Sequence, residues 1–337
     1  MSLNTPARSL VSSVPLKNAS IYYTSPEFIA DQVFPIVDMD SPVGKITTYL
    51  PGDFFRNEAD LRGESGRARR AGFKTTTTSY STKEIALAHE ITDEYVRASK
   101  KQNALPLQPY VEGVEFLKRL IMLKREADVA AKITGATWAD GVAGGEDVEG
   151  LWASGATGNT FKADIKKGLQ KLREKGIAPG NPMYEVRLLL DDLTFDEVVE
   201  IAAIKDQIKY TSAENVTPEL LAKILKVDKV IVPNVIQNTA KEKKAGTEFT
   251  SAKIWQVNAT KGMALLYTYP KQVKLRMMTS GLIVRDRFDS IEGGGHERLM
   301  NWREDAEHQT VYELAENRDQ IQVAADSADA FKDTILT

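Results

Sequence analysis

The most regular pattern of apolar and polar positions in the chain runs from about Gln108 to Thr134. Apolar side chains recur there every three or four residues, which predicts one amphipathic helix of roughly 40 Å at about 1.5 Å per residue. Pro109 and Gly135 are typical of helix boundaries. We expect this spine helix to pack through one broad face and to leave its charged residues in water. Those charged residues are Glu115, Lys118, Arg119, Lys124, Arg125 and Glu126.

A two-stranded ribbon is predicted before the spine helix. Lys45 to Leu50 and the threonine-rich segment Phe73 to Thr92 both favour β structure. Neither face of Lys74 to Thr82 is apolar enough to bury against the chain's own core, and an isolated two-stranded ribbon is marginally stable in water. The ribbon is therefore expected either to rest on another copy of the chain or to form a flexible surface hairpin.

The segment between the two ribbon strands contains glycine and many arginines, and its cations are candidates for a subunit interface. Such cations suit the phosphates of a nucleic acid, but aromatic residues are not interleaved with them, and Glu58, Asp60 and Glu64 lie nearby. Mixed charge at a loop tip fits docking onto an acidic protein surface better. The candidate interface residues are Arg56, Arg62, Arg67, Arg69, Arg70 and Lys74.

The rest of the chain alternates helical and strand patterns, which predicts a mixed α+β fold. A short helix is expected to begin at Ser25 and Pro26 and to end at Pro35. After the spine helix, helices are predicted at 161–175, at 193–210 and after the cap formed by Thr217 and Pro218. Strands are predicted at 186–190, 227–235, 254–258 and 263–270, and at 273–288 with a turn at Gly281. One long strand or a strand pair is predicted at 308–324, followed by a closing turn and short strand.

Composition limits the classes of function that fit. The 337 residues carry a formal net charge of -3, so no global basic field would draw nucleic acid to the protein. Cysteine is absent, which excludes disulfides, thiolate nucleophiles and cysteine metal sites. No run of about 18 apolar residues occurs. Met1 to Asn18 lacks the pattern of a signal peptide or membrane anchor and is expected to form an extended arm.

Candidate catalytic chemistry is sparse, and we expect no catalytic, cofactor-binding or metal-binding residue. The three histidines show no metal-ligand spacing. One loop holds four carboxylates that suit a cation, but it lacks the alternation of a calcium loop, so a solvated acidic loop is favoured. These carboxylates are Asp140, Glu146, Asp147 and Glu149. Asp191 and Asp192 are expected to cap the next helix. The phosphate-loop and Gly-x-Ser-x-Gly signatures are absent.

Three segments resemble the major capsid proteins of tailed double-stranded DNA phages, the family with the HK97-type fold. They are SPEFIADQVFPIV at 25–37, FKADIKKGLQKLREKGIAPGNPMYEVRLLLDDLTFDEVV at 161–199 and TPELLAKILKVDKVIVPNVIQNTA at 217–240. The order of parts extends the resemblance over nearly the whole chain. It implies an N-terminal arm at 1–44, an extended β-hairpin loop at 45–92, a peripheral domain at 93–154 and 286–337 with the spine helix at 108–134, and an axial domain at 155–285.

The resemblance also implies a function. Copies of the chain would assemble as hexamers and pentamers into an icosahedral shell around phage double-stranded DNA, which the inner face would contact without sequence preference. Separate scaffolding, portal and decoration proteins would be further partners, and the virion, assembled in the host cytoplasm, would be the location. An encapsulin-like bacterial nanocompartment is the alternative. A metal-dependent hydrolase built on the acidic loop is a third hypothesis, from another class.

Overall fold

The computed structural model describes residues 28–49, 53, 55–59, 61–62, 66–101, 108–139, 141–208, 216–240, 249–256, 261–272, 278–288 and 295–336. The structural statements below concern those residues. The extended arm expected at 1–18 and the helix start expected at Ser25 and Pro26 lie outside them.

Helices and strands alternate along the described chain, as an α+β fold requires. The helices are α1 (Ala30–Val33), α2 (Asp93–Lys101), α3 (Pro109–Gly135), α4 (Phe161–Glu174), α5 (Asp192–Glu200), α6 (Ala202–Ile208) and α7 (Pro218–Leu225). The strands are β1 (Ile36–Met39), β2 (Val43–Tyr49), β3 (Thr75–Ser81), β4 (Lys83–Thr92), β5 (Glu146–Asp147), β6 (Tyr184–Leu190), β7 (Lys229–Ile231), β8 (Ile236–Asn238), β9 (Ser251–Lys253), β10 (Lys261–Pro270), β11 (Gly281–Asp286), β12 (Glu297–Glu304), β13 (Gln309–Gln322) and β14 (Ala328–Leu336). A short 3-10 helix, Ala325–Ser327, precedes β14.

Two five-stranded sheets organise the molecule. The first sheet has the order β1-β11-β13-β12, with β4 also paired to β13. The second sheet has the order β5-β14-β10-β6-β7. The strands β2 and β3 form a separate ribbon, and β8 pairs only with β9 among the described strands.

The spine helix α3 joins the two sheets. Its first half buries Val114 and Leu117 against β4, β12 and β13 of the first sheet. Its second half buries Val129 and Ile133 in another core cluster, together with α1 and the second sheet. The predicted range from Gln108 to Thr134 is confirmed to within one residue at each end. Among the described helices none is long and apolar enough to cross a membrane.

Both faces of the second sheet are buried, which explains its unbroken apolar runs. On β6, Leu188 and Leu190 pack towards α4 and α7, while Leu189 between them packs towards the spine helix. The same alternation places Leu266 on the α4 side and Leu265 on the spine-helix side of β10. Because neighbouring side chains point to opposite faces of a strand, a strand covered on both faces needs apolar residues at every position.

Two tryptophans fix the glycine-rich loop that follows the spine helix. Trp152 is fully buried, its ring lies 4.9 Å from those of Phe161 and Phe331, and its indole N–H donates to Asp164 at 2.9 Å. Trp138 donates its indole N–H to the carbonyl of Ile133 at 3.0 Å. The loop is therefore held to the body through its aromatic side chains.

The predicted second strand of the ribbon is divided in the structure. Only Thr75–Ser81 pairs with β2, and after Thr82 the chain continues as β4, which pairs with β13. The reason is side-chain pattern, because His89 and Ile91 of β4 contact the spine helix and Ile91 is buried there. Threonine favours β structure equally in a ribbon and in a sheet, so propensity alone did not separate the two parts.

Two other predicted elements differ from the structure. The helix expected at 193–210 is two helices, α5 and α6, separated at Ile201, whose ψ of 124° is extended. The strand expected at 254–258 is wrong in its described part, because β9 ends at Lys253 and the next residues bend. The bend turns Trp255 into the core, where its indole N–H donates to Glu126 at 2.8 Å. Strand β12 was not predicted.

Close packing of α1 on β11 is testable through a glycine. A Cβ at Gly281 would lie 2.5 to 2.7 Å from the ring of Phe34, which is fully buried and cannot move aside. Gly281→Ala is therefore expected to destabilise the protein by about 1–3 kcal/mol. Gly135→Ala is the matched control, since nothing lies within 4 Å of its Cβ position, and its effect should stay within about 0.5 kcal/mol or be slightly stabilising. Thermal unfolding measures both; equal melting temperatures would contradict this packing.

Candidate assembly interface

The ribbon formed by β2 and β3 packs on its own chain at its base and is exposed along part of its length. Its strands pair from Val43 opposite Ser81 to Tyr49 opposite Thr75. At its base, Ile46 and Tyr80 are buried against the first sheet. The expectation that no face of Lys74 to Thr82 packs on the chain's own core is therefore wrong at Tyr80. It holds for 75–77, which are exposed.

The ribbon tip is closed by local hydrogen bonds. The backbone N–H of Lys74 donates to Asp53 Oδ2 at 2.7 Å, which joins the two arms. Arg62 Nε donates to the carbonyl of Gly66 at 2.7 Å. Arg56 lies 3.5 Å from Asp53, but its side chain is 63% exposed, so that ion pair contributes little. Local hydrogen bonds thus hold the described residues of the tip, and the side chains of Arg56 and Arg62 are exposed.

All six candidate interface residues are exposed to solvent in the isolated chain. Four of them belong to the irregular stretch 66–74, which contains no carboxylate and is exposed throughout. Such a stretch presents several guanidinium groups that can bind carboxylates or phosphates through paired hydrogen bonds. The exposed residues are Arg56, Arg62, Arg67, Arg69, Arg70 and Lys74.

A buried network of charges fixes the sheet that supports the ribbon. Glu316 on β13 accepts from Arg125 of the spine helix at 2.6 Å and from Arg318 at 3.0 Å. Arg318 also donates to Asp128 at 3.1 Å, and Arg125 lies 3.3 Å from Asp31. Burial alone would raise the pKa of Glu316, but the two guanidinium groups outweigh burial and hold that pKa below its usual value. The network is therefore charged in the folded protein.

Glu126, the next residue of the spine helix, joins three separate segments. Its buried carboxylate accepts from the backbone N–H of Ala30 at 2.6 Å and from the indole N–H of Trp255 at 2.8 Å. Burial raises the pKa of Glu126 to about 7, although these hydrogen bonds partly oppose the rise. One side chain thus holds α1, the spine helix and the bend after β9 together.

The expectation that Lys118, Arg125 and Glu126 lie on the solvent-exposed face of the spine helix is wrong. All three are buried, and Lys118 forms an ion pair with Glu297. The residue spacing in the sequence already indicated this burial. Arg125 lies four residues from Ile121 and four from Val129, so it falls on the apolar stripe itself. A long charged side chain on such a stripe indicates a buried partner.

The acidic loop does not gather its carboxylates. Glu146 binds Lys167 at 2.9 Å, and Asp147 accepts from the backbone N–H of Glu149 at 3.0 Å. Asp140 lies outside the described residues. Within the part of the chain that the structure describes, no group of three or more histidine, aspartate or glutamate side chains is placed to hold a metal ion. This geometry gives the hydrolase hypothesis no support.

The histidines and Asp191 have local contacts. His89 lies edge-on to Phe116, with ring centroids 5.4 Å apart, and His296 Nε2 lies 3.4 Å from Asp38. Asp191 occupies the cap position before α5, as expected, and accepts from the backbone N–H of Met263 at 3.1 Å. Burial raises the pKa of Asp191 to about 6. These contacts fix local structure.

Comparison with known proteins gives structural matches only. No protein-family model and no curated protein sequence matches the chain. A phage-related protein from Bordetella bronchiseptica is 17% identical, with a TM-score of 0.71, over 98% of this chain and 99% of that chain. The capsid of the cyanophage P-SCSP1u is 11% identical, with a TM-score of 0.55, over 98% and 92%. The SrpI encapsulin of Synechococcus elongatus is 8% identical, with a TM-score of 0.50, over 97% of each chain.

At these identities the likeness shows the fold. The chain has the α+β fold of phage capsid proteins, the HK97-type fold expected from the sequence, and the matches extend over nearly its whole length. An encapsulin shares the same fold. The fold is thus common to shells that enclose different contents, and the nature of the contents is a separate question.

The buried charge network is testable by removing its central anion. Glu316→Gln leaves the guanidinium groups of Arg125 and Arg318 without their shared counter-charge, and it should destabilise the protein by about 3–5 kcal/mol. The matched control is Glu200→Gln, which removes an exposed ion pair with Lys205 and should cost less than about 0.5 kcal/mol. Denaturant unfolding measures both variants. Similar small losses would show that the network is not essential.

The raised pKa of Glu126 predicts a specific pH dependence of stability. The folded-state pKa of about 7 exceeds the ordinary glutamate value of 4.5, so the stability that this group contributes is complete below about pH 4.5 and is lost as the pH rises through about 7. Glu126→Gln remains neutral throughout. Between about pH 5 and pH 7.5 the wild type should therefore lose about 2–3 kcal/mol more unfolding free energy than the variant. If the unfolding free energies of the two proteins changed in parallel with pH, the raised pKa of Glu126 would be refuted.

Proposed function

We propose that this chain is the major capsid protein of a tailed double-stranded DNA phage, a structural protein without catalytic activity or a cofactor. The observation that carries the proposal is the fold, which matches the capsid of a cyanophage over 98% of the chain. The match to a phage-related bacterial protein over similar length supports the same source. The function would then be self-assembly, and the location would be the virion, built in the host cytoplasm.

Assembly requires a contact that one chain cannot satisfy alone, and the ribbon supplies it. Residues 75–77 of its second strand and the stretch 66–74 of its tip are exposed, and an isolated two-stranded ribbon is marginal in water. A contact between the ribbon of one copy and a different surface of the next is heterologous, and such a contact forms rings when the rotation between successive copies closes. Rings of five and six subunits would tile an icosahedral shell. The six exposed cations at the tip are the proposed contact residues.

The domain division implied by the resemblance is retained as a proposal, with one addition. The arm (1–44), the extended loop (45–92), the peripheral domain (93–154 and 286–337) and the axial domain (155–285) keep their expected ranges, apart from the strands β5 and β14. The second sheet takes β5 and β14 from the peripheral ranges and pairs β14 with β10. We therefore count these two strands with the axial body.

The shell would enclose double-stranded DNA and would need other proteins to do so. The net charge of -3 supports only local contacts with DNA, without sequence preference. Separate scaffolding, portal and decoration proteins are the proposed partners besides further copies of the chain. No membrane is involved in this assembly.

An encapsulin-like shell is the second candidate, and the match to the Synechococcus elongatus encapsulin over 97% of the chain favours it specifically. The two candidates differ in what the shell holds. Particles from the native source would contain double-stranded DNA in the first case and a cargo enzyme in the second. Nuclease treatment and the absorbance of intact particles show whether the shell contains DNA. Portal and terminase genes beside this gene would indicate the phage capsid.

Deletion of the ribbon tip tests the proposed function. A chain lacking Arg56 to Arg70 should fold with a melting curve close to wild type, because the ribbon base is held by Tyr80 and Ile46. It should not form closed shells in negative-stain electron microscopy. Replacing the five tip arginines with lysine is the matched control and should preserve assembly. Normal shells from the deletion would refute a role for the tip, and monomeric wild-type protein at high concentration would refute the function.

A further inference from the structure

We infer that the interface between the spine helix and β13 binds one small monovalent anion, such as chloride, through N–H groups of Arg125, Arg318 and Gln320. We call these three N–H groups the donor cluster. The site belongs to the single subunit, so its test and the test of shell assembly are independent.

The N–H groups of the donor cluster have no acceptor among the described residues. They are Arg125 Nε, Arg318 Nε and Gln320 Nε2, and each of these atoms is buried from solvent. Other N–H groups of the same guanidiniums are paired, since Arg125 donates to Glu316 at 2.6 Å and Arg318 donates to Asp128 at 3.1 Å. A buried donor without an acceptor is costly, so these groups indicate a further acceptor at the interface.

The two arginines of the donor cluster meet at the carboxylate of Glu316. Arg125 approaches it from the spine helix at 2.6 Å, and Arg318 approaches it from β13 itself at 3.0 Å. Arg318 also donates to the carbonyl of Ile121 at 3.3 Å and to Asp128. Its guanidinium therefore lies along the helix turn that carries Arg125, which brings the two Nε atoms into the same region.

Gln320 extends the donor cluster along β13. Because side chains alternate along a strand, Gln320 points to the same face as Arg318, about 7 Å farther along. Ile283 lies directly across from Gln320 on β11 and packs with Val129 of the spine helix in one core cluster. The amide of Gln320 therefore faces the helix, and its N–H groups are shielded from water.

The charges buried around the donor cluster do not cancel. Three guanidiniums and two carboxylates have mostly buried side chains there, namely Arg125, Arg285, Arg318, Asp128 and Glu316. Asp31 and Asp38 pair with the arginines from outside, but they are 53% and 45% exposed and are screened by solvent. Lys118 and Glu297 pair with each other. Among the described residues one buried positive charge is in surplus, which a monovalent anion would neutralise.

An anion suits the donor cluster better than a water molecule does. The three unpaired groups all donate, whereas a buried water both donates and accepts. A water oxygen would need more lone pairs than it has to accept from all three groups, and its own hydrogens would need acceptors. Chloride accepts several N–H groups and supplies the missing charge. The fully buried side chain of Arg318 closes the site, which favours a small anion over phosphate.

A chloride titration at constant ionic strength tests the site. Sodium gluconate, whose anion is too large to enter, is replaced stepwise by sodium chloride, and the melting temperature of the full chain is measured. A ligand of the folded state raises the melting temperature with the logarithm of its concentration. We expect a rise of about 3–6 °C at about 100 times the dissociation constant. The chloride NMR line should broaden with folded protein and narrow again when the protein unfolds.

Gln320→Glu is the decisive variant, because it places a carboxylate where the anion would lie. Its melting temperature should not depend on chloride, and in gluconate it should be at least as high as that of the wild type. Gln322→Glu is the matched control on the same face of β13, since the amide of Gln322 donates to the carbonyl of Thr137 at 2.7 Å. This control should keep the full rise with chloride.

Four outcomes would overturn the site. A wild-type melting temperature that does not change with chloride would leave water as the occupant. A full rise in Gln320→Glu would place the chloride elsewhere, and loss of the rise in both variants would assign it to strand charge in general. If Gln320→Glu does not fold, the wild-type NMR line decides, and a line that stays narrow refutes binding.

Discussion

The ion pairs among Arg125, Glu316 and Arg318 are the interaction on which the rest of the structure depends. Together with Asp128 they join the longest described helix to the longest described strand, through Arg125 and Glu316 at 2.6 Å and through Arg318 and Asp128 at 3.1 Å. Because all three side chains are buried, losing one leaves an uncompensated charge away from water, which costs several kcal/mol. Sliding the helix along the strand would separate the charges. We interpret the network as fixing the position of the helix more than as adding net stability.

Adjacent residues of the spine helix serve the two sheets. Arg125 binds the first sheet, whereas Glu126 binds α1 and the bend at Trp255 beside the second sheet. The first sheet in turn carries the ribbon base through the cluster that contains Tyr80. The direction in which the ribbon leaves the body is therefore set by buried polar contacts of the helix, although the ribbon itself is largely solvent-exposed.

Sequence alone predicted the elements with strong local signals. The spine helix and α4 have clear periodicity and end near glycine, and the strands of the second sheet are continuous apolar runs. The buried charges were missed because Glu316 lies 191 positions from Arg125, so its role is visible only in three dimensions. The division of the predicted strand at Thr82 was missed because β propensity does not indicate which strand a segment pairs with. The tip cations were expected on an exposed segment and are exposed, and their proposed role in contacts between copies remains a prediction.

Pairing of β1 with β11 constrains how the protein can be made. Asp38 and Arg285, joined across this parallel pair, are 247 positions apart. At synthesis rates of about 5–20 residues per second, the early strand waits roughly 12–50 s on the ribosome before its neighbour emerges. Such distant pairing also makes folding slow. A host cell producing many copies at once would therefore hold a large pool of incomplete chains, each with an unmatched β1 edge exposed to chaperones and to premature association.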